Sequence, residues 1–349
     1  MVNCFLIYKS ILNGAMKLVG MTTQAVEIEP GTVLNFWVPT ETTNKTKNKT
    51  NKPAVVFLHG FAFDGILNWQ FQVLGLAKKY AVYVPDFLFF GGSFTDRPER
   101  TVEFQSECTA RGLRKLGVEK CTLVGLSYGG IVGFKMAEMY PELVESMVVT
   151  CAVMALTESL NNAALRRVGF SSLPENLLPK TAEGVKTLLD KCSYRFLRFH
   201  NFFYREILET MFNHRKERTE LLQALVISDE RFTIPHYPQS VTSGIRVDPV
   251  RPSMSHQAFT QRRPCVIVGP HESEVDRACP EKMYLLWGEN DLIFDIETAR
   301  SLKEQLGEKA TLKAIKKAGH IVNLERQCVY NRNLKRILGS FTQENAQHS

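Results

Sequence analysis

The chain has 349 residues, 44% hydrophobic and 23% charged, which is material for a sizeable core and for one large domain or one domain plus a cap. Its net charge of +7 is mildly basic. The basic residues collect in a lysine tract (Lys45, Lys47, Lys49, Lys52) and around Arg195, Arg198, Arg215, Lys216 and Arg218, with no module or aromatic interleaving of the kind that binds nucleic acid.

Eight cysteines are scattered with no CxxC pair, which argues for a reducing, cytoplasmic setting and against a structural metal. Residues 1–21 read as an amphipathic helix with Phe5, Tyr8, Leu12, Met16 and Val19 on one face. Lys9 and Lys17 break it too often for a bilayer span, and it lacks the plan of a signal peptide. Two readings stay open: packing on its own domain, or peripheral contact with a membrane surface. Residues 25–29 and 32–38 read as a hairpin around Pro30-Gly31, and the polar tract 41–52 as an exposed loop. Strands at 54–58, 81–84, 121–126 and 146–151 then alternate with helices at 66–79, 101–116 and 131–139, the pattern of a mostly parallel sheet covered on both faces.

That alternation stops near residue 155. The block 156–239 is helical in pattern to residue 227, with no convincing strand, and reads as a cap inserted into a core of 22–155 and 282–349. The core resumes with a strand at 283–288, a helix at 296–306, a strand at 310–315 and a helix at 329–341. Residues 240–281 carry five of the fifteen prolines (Pro249, Pro252, Pro264, Pro270, Pro280) and follow neither period beyond a short apolar run at 265–268. They read as a disordered insertion, such as a retained intron would leave, since so long a structureless loop is unusual within a compact domain.

Ser127 is the most informative residue. It stands in Gly125-Leu-Ser-Tyr-Gly-Gly130 directly after the apolar strand 121–126. A glycine two places either side of a serine at a strand end marks a nucleophile elbow, where the chain turns sharply into a helix and side chains two positions away would collide. An elbow predicts an acid and then a histidine later in the chain. Asp291, in Trp-Gly-Glu-Asn-Asp, and His320, in Lys-Ala-Gly-His, follow predicted strands at their C-terminal ends. Serine is a weak nucleophile at neutral pH, so a histidine must take its proton and a buried carboxylate must fix the histidine tautomer. Asp295 is the fallback acid and Glu289 a lesser one. The oxyanion hole needs two backbone N–H donors, expected from Tyr128 and, in His59-Gly60-Phe61, from Phe61. His59 itself reads as a structural residue holding that loop.

These motifs, together with Asp86-Phe-Leu-Phe-Phe-Gly-Gly-Ser93, resemble the α/β-hydrolase family, and most nearly its plant monoacylglycerol-lipase-like members. The resemblance implies an eight-stranded, mostly parallel sheet with helices on both faces, an inserted helical cap and no cofactor. One departure is the aromatic run 86–90, where relatives commonly carry Pro-Gly-His-Gly; the change is expected to alter the pocket mouth.

Family members that open epoxides or remove halides carry aspartate at the elbow. Serine supports acyl transfer instead. Phe196, Phe199, Phe203 and Ile207 at helical spacing, with Phe202, Tyr204 and Phe212 nearby, read in part as packing the block on the body, and would also suit an acyl chain, each buried methylene contributing about 0.8 kcal/mol. The reading is a carboxylesterase or monoacylglycerol-type lipase acting on a lipophilic ester. A carbon–carbon hydrolase of the meta-cleavage type and a non-catalytic ligand receptor on the same fold are the alternatives.

Overall fold

The apolar run that leads to Ser127 lies inside a parallel sheet. The computed structural model describes residues 3–43, 52–195, 199–232, 280 and 282–345. The proposed insertion 240–281, Pro280 apart, and Phe196 fall outside them. Among the described residues the strands are, in chain order, β1 (Met21–Glu29), β2 (Thr32–Pro39), β3 (Ala54–Leu58), β4 (Ala81–Pro85), β5 (Phe94–Thr95), β6 (Cys121–Leu126), β7 (Val144–Thr150), β8 (Leu156–Thr157), β9 (Val226–Ile227), β10 (Lys282–Gly288) and β11 (Ala310–Ile315).

The main sheet runs β1-β2-β4-β3-β6-β7-β10-β11, the eight strands expected, with β5 added on β2 as a ninth. β1 and β2 form the antiparallel hairpin, and Gly31 at φ 79° supplies its turn. From β4 to β11 all pairings are parallel. Such strands are covered on both faces, so they read as continuous apolar runs; β4 is buried at all five positions. Helices Gly65–Leu76, Val102–Lys115, Tyr128–Met139, Ile296–Leu306 and Gln327–Asn345 flank the sheet. Asp64, Thr101 and Asp295 cap three of them by accepting an N–H of the first turn.

Between β7 and β10 the described chain passes through helices Glu158–Val168, Leu173–Leu177, Ala182–Cys192, Asn201–Met211 and Arg215–Leu225. The expectation that this block holds no strand needs correction. Residues 156–157 pair in parallel with 226–227, closing the block with the two-residue ribbon β8–β9. Two residues show no period, so only their distant partner makes them a strand.

The helix Cys4–Leu18 buries Phe5, Leu12 and Met16. The Phe5 ring packs edge-on against Phe203 at 5.7 Å, and Lys9 Nζ reaches Asp64 Oδ2 at 2.8 Å. Most of the face named from the sequence therefore lies against the protein, while Ile7, Ile11 and Leu18 stand exposed on another side. Among the described residues no helix is long and apolar enough to cross a membrane.

Candidate active site

Parallel strands put their C-terminal ends on one edge of the sheet, and the candidate residues emerge there. Ser127 follows β6 and precedes the helix Tyr128–Met139 with φ 52° and ψ −119°, a conformation that costs a non-glycine residue free energy. The turn is held by Ser127 N–H donating to Thr150 O and Gly130 N–H donating to Ser127 O. Its neighbours must be glycine. A Cβ on Gly125 would come within 2.6 Å of Gly129 O, and one on Gly129 within 2.3 Å of Leu58 O. The collision at Gly125 lies within the turn, as expected from the sequence, whereas the one at Gly129 is with the end of β3.

Asp291 and His320 meet on loops after β10 and β11. His320 Nδ1 lies 2.8 Å from Asp291 Oδ2, with both residues buried. Asp291 Oδ1 accepts the N–H groups of Ile293 and Phe294 at 2.7 and 3.1 Å, so the carboxylate is fixed before it engages the imidazole. The two loops are tied together. Glu289 N–H donates to Ile315 O, and Asn290 N–H to Ala318 O. Gly288 permits the approach, since a Cβ there would stand 2.0 Å from Gly319 O. Phe294 packs beside the imidazole, ring centroids 5.8 Å apart.

The fallback acid is occupied elsewhere: Asp295 caps the helix Ile296–Leu306 through Thr298 N–H and pairs with Arg167 at 2.9 Å.

The loop after β3 runs beside Ser127. A Cβ on Gly60 would lie 3.7 Å from Ser127 Cβ. Gly60 N–H donates to Asn68 Oδ1 at 2.8 Å, which commits that donor and leaves Phe61 as the loop's candidate. The Phe61 ring meets the Tyr128 ring edge-on at 5.5 Å, so the two proposed donors stand on neighbouring residues.

His59 is fully buried. Its Nε2 accepts Phe87 N–H at 3.0 Å and its Nδ1 donates to Gly60 O at 2.7 Å, which joins the β3 and β4 loops. Burial pushes its pKa down to about 4, so it is neutral, in keeping with a structural role.

The aromatic run after β4 does not reach the cavity mouth. Phe87 packs edge-on against Tyr128 at 5.4 Å, Phe90 likewise against Phe61 at 5.1 Å, and Arg218 lies over the Phe90 ring at 4.1 Å. The expected change at the mouth is replaced by a buttress behind the proposed donors. These rings are buried because Asp86 is anchored at the base of the loop, accepting from Gly65 N–H and Asn35 Nδ2.

Ser127 and His320 border one cavity with Phe61, Tyr128 and a largely aliphatic wall from the helical block. That wall includes Leu156, Leu165, Leu173 and Leu225. Among the described residues, no member of the aromatic stripe expected there borders the cavity. Phe203 packs on Phe5 and Phe199 on Phe203 at 4.7 Å, so this stripe joins its helix to the N-terminal helix.

One residue of the site had no sequence signal. Cys151, just after β7, is buried in the left-handed region at φ 45°, and its Sγ accepts Gly288 N–H at 3.4 Å. Ligand atoms of Cys151, Asp291 and His320 lie within 4.8 Å of one another. Burial and the Asp291 carboxylate drive the thiol pKa well upward, so the sulfur stays protonated beside the acid.

Residues 53–327 match the family model for the α/β-hydrolase fold, and the chain belongs to that family. Human epoxide hydrolase 4 is 29% identical over 102 residues, 28% of this chain and 27% of its own length. The match therefore spans about a quarter of that relative. Among solved structures, a bacterial membrane phospholipase A superposes with a TM-score of 0.69 at 18% identity, covering 96% of this chain and 90% of its own. The 2-hydroxy-6-oxo-6-phenylhexa-2,4-dienoate hydrolase of Rhodococcus superposes with 0.62 at 18% identity, covering 90% and 98%. At such identities the likeness is one of fold.

Proposed function

We propose that this chain is a serine hydrolase that cleaves carboxylic esters of lipophilic acids through an acyl-enzyme. The observation that carries this reading is the fixed His320–Asp291 pair on the same cavity as Ser127. Ser127 would attack the ester carbonyl while His320 Nε2 takes its proton. The N–H groups of Phe61 and Tyr128 would hold the oxyanion. His320 would then protonate the leaving alcohol, and water activated by the same imidazole would release the acid. Asp291 would hold the ring with its proton on Nδ1 and stabilise the imidazolium.

Serine at the strand-to-helix turn supports acyl transfer over epoxide opening, for which an aspartate would form the alkyl ester. The helical block between β7 and β10 would act as the cap, and its aliphatic wall would receive the acyl chain. That chemistry is similar to the reading drawn from the plant monoacylglycerol-lipase-like hydrolases.

The test is a fluorophosphonate probe followed by an ester chain-length series. Labelling of the wild type but not of Ser127→Ala, with turnover peaking at medium or long acyl chains, supports the proposal. Hydrolysis of a dienoic diketo acid with none of the esters turned over would replace it by carbon–carbon cleavage. Ligand binding without labelling or turnover would replace it by a receptor.

A further inference from the structure

Two asparagines interrupt the apolar wall above Ser127. Asn161 lies on the helix Glu158–Val168 and Asn176 on the neighbouring helix Leu173–Leu177, and both border the cavity. Asn176 is only 3% exposed. In each, the side-chain Oδ1 is shut away from solvent and meets no donor among the described residues. The same holds for side-chain atoms of Gln24, Trp69, Gln72 and Asn323, but none of those four residues borders the cavity.

Buried polar atoms are as a rule paired, because water is lost and must be replaced by a partner. Leucine would continue the aliphatic wall at both positions without that penalty. An amide both donates and accepts, so its natural counterpart on a ligand is a hydroxyl, which does the same.

We propose that Asn161 and Asn176 form a polar subsite that recognises hydroxyl groups on the substrate, which makes the substrate class hydroxylated lipophilic esters in preference to plain alkyl esters. This rests on the ester-hydrolase reading and narrows it. The hydroxyl can belong to the alcohol portion, as in a glyceryl ester, or to the acyl chain, and the two sources are separable. A pocket built around a substrate hydroxyl rejects the analogue that lacks it, because its own polar groups are then left unpaired.

The experiment compares kcat/KM for glyceryl monooctanoate against propyl octanoate, and for propyl hydroxyoctanoate against propyl octanoate. In the wild type the hydroxylated ester is favoured at least ~10-fold in one arm, which also names the source. In the double variant Asn161→Leu/Asn176→Leu that ratio falls toward one, while Asn162→Leu, on the exposed side of the same helix, keeps it. Should the double variant not fold, the single variants are read by the same ratio. Turnover of propyl octanoate with no preference in either arm, or a preference that survives both substitutions, overturns the subsite and leaves the ester-hydrolase reading standing. Failure of every ester, together with no fluorophosphonate labelling of Ser127, overturns both.

Discussion

His320 Nδ1 sits 2.8 Å from Asp291 Oδ2, and the other oxygen of that carboxylate is already held by two backbone N–H groups. The acid is thus fixed from one side and presents its free oxygen to the imidazole. In Asp291→Asn the amide would hold the ring less well and in the wrong tautomer. Ester turnover should fall by about 10⁴-fold, with the fold intact by circular dichroism. Asp295→Asn, which touches a helix cap and Arg167, should change kcat far less. Near-normal turnover in Asp291→Asn would remove it from the mechanism.

Ser127 occupies φ 52°, which glycine adopts without penalty. Ser127→Ala and Ser127→Gly should both be inactive, but they should differ in stability. Glycine relieves the strain, and about 1 kcal/mol in favour of Ser127→Gly is expected from urea unfolding. Equal midpoints, or a less stable glycine variant, would mean that the turn stores no strain.

Features set by neighbouring residues are legible in the sequence, and those set by distant partners are not. Gly125 is legible because the collision it avoids, with Gly129 O and Gly130, lies within three residues of the serine; the collision Gly129 avoids is with Leu58 and His59, which only the fold brings there. The hairpin at Gly31 is legible from its turn residues, and β3, β4, β6 and β7 because buried parallel strands are short apolar runs between turn residues. The ribbon β8–β9 and strand β5 were not, since two residues carry no period. Cys151 was not, because nothing local announces a left-handed cysteine; it is defined by Gly288 and Asp291, far along the chain. The aromatic stripe around Phe203 was legible as a stripe but not as to its partner, since only the fold brings Phe5 against it.

Gly288 and Gly14 predict opposite outcomes for the same substitution. A Cβ at Gly288 would meet Gly319 O at 2.0 Å and Ala318 O at 2.7 Å, both backbone atoms of the histidine loop. Gly288→Ala should cost about 3 kcal/mol and displace His320 from Asp291. Gly14 lies inside the helix Cys4–Leu18 with nothing near its Cβ position, so Gly14→Ala should gain up to about 1 kcal/mol. Thermal melts of the two variants check the pair. Destabilisation by Gly14→Ala would show that the helix does not depend on its own propensity.

Thiol reactivity should divide the described cysteines by burial. Cys4 and Cys328 are exposed, whereas Cys108, Cys121, Cys151 and Cys192 are buried. Burial pushes the Cys108 and Cys192 thiols up to about 12, so neither offers thiolate at neutral pH. Iodoacetamide on the native protein, read by peptide mass spectrometry, should modify Cys4 and Cys328 and spare those four until denaturant is added. Rapid native alkylation of Cys151 would place it on an open surface and remove it from beside Asp291.

His59 ties stability to pH. Burial is the largest cause of its depressed pKa of about 4, opposed by its bond to Gly60 and by the Asp64 charge. The folded state therefore refuses a proton that the unfolded histidine accepts near pH ~6.5. Between these values the unfolded chain binds more protons, so this contribution is present above pH ~6.5 and is lost as pH falls toward about 4. It amounts to roughly 3 kcal/mol in all. Asp86 acts in the opposite sense. Burial and then the Asp64 charge raise its carboxyl pKa, so its contribution is present at low pH and is lost as pH rises. The two slopes offset one another in the wild type. Glutamine at position 59 keeps a donor for Gly60 O and an acceptor for Phe87 N–H but does not titrate. His59→Gln should therefore lose stability, relative to wild type, as pH rises from about 4.5 to 6.5. Urea midpoints for both proteins at the two pH values read this difference in slope. Parallel curves would mean that the imidazole is protonated, or solvated, within the fold.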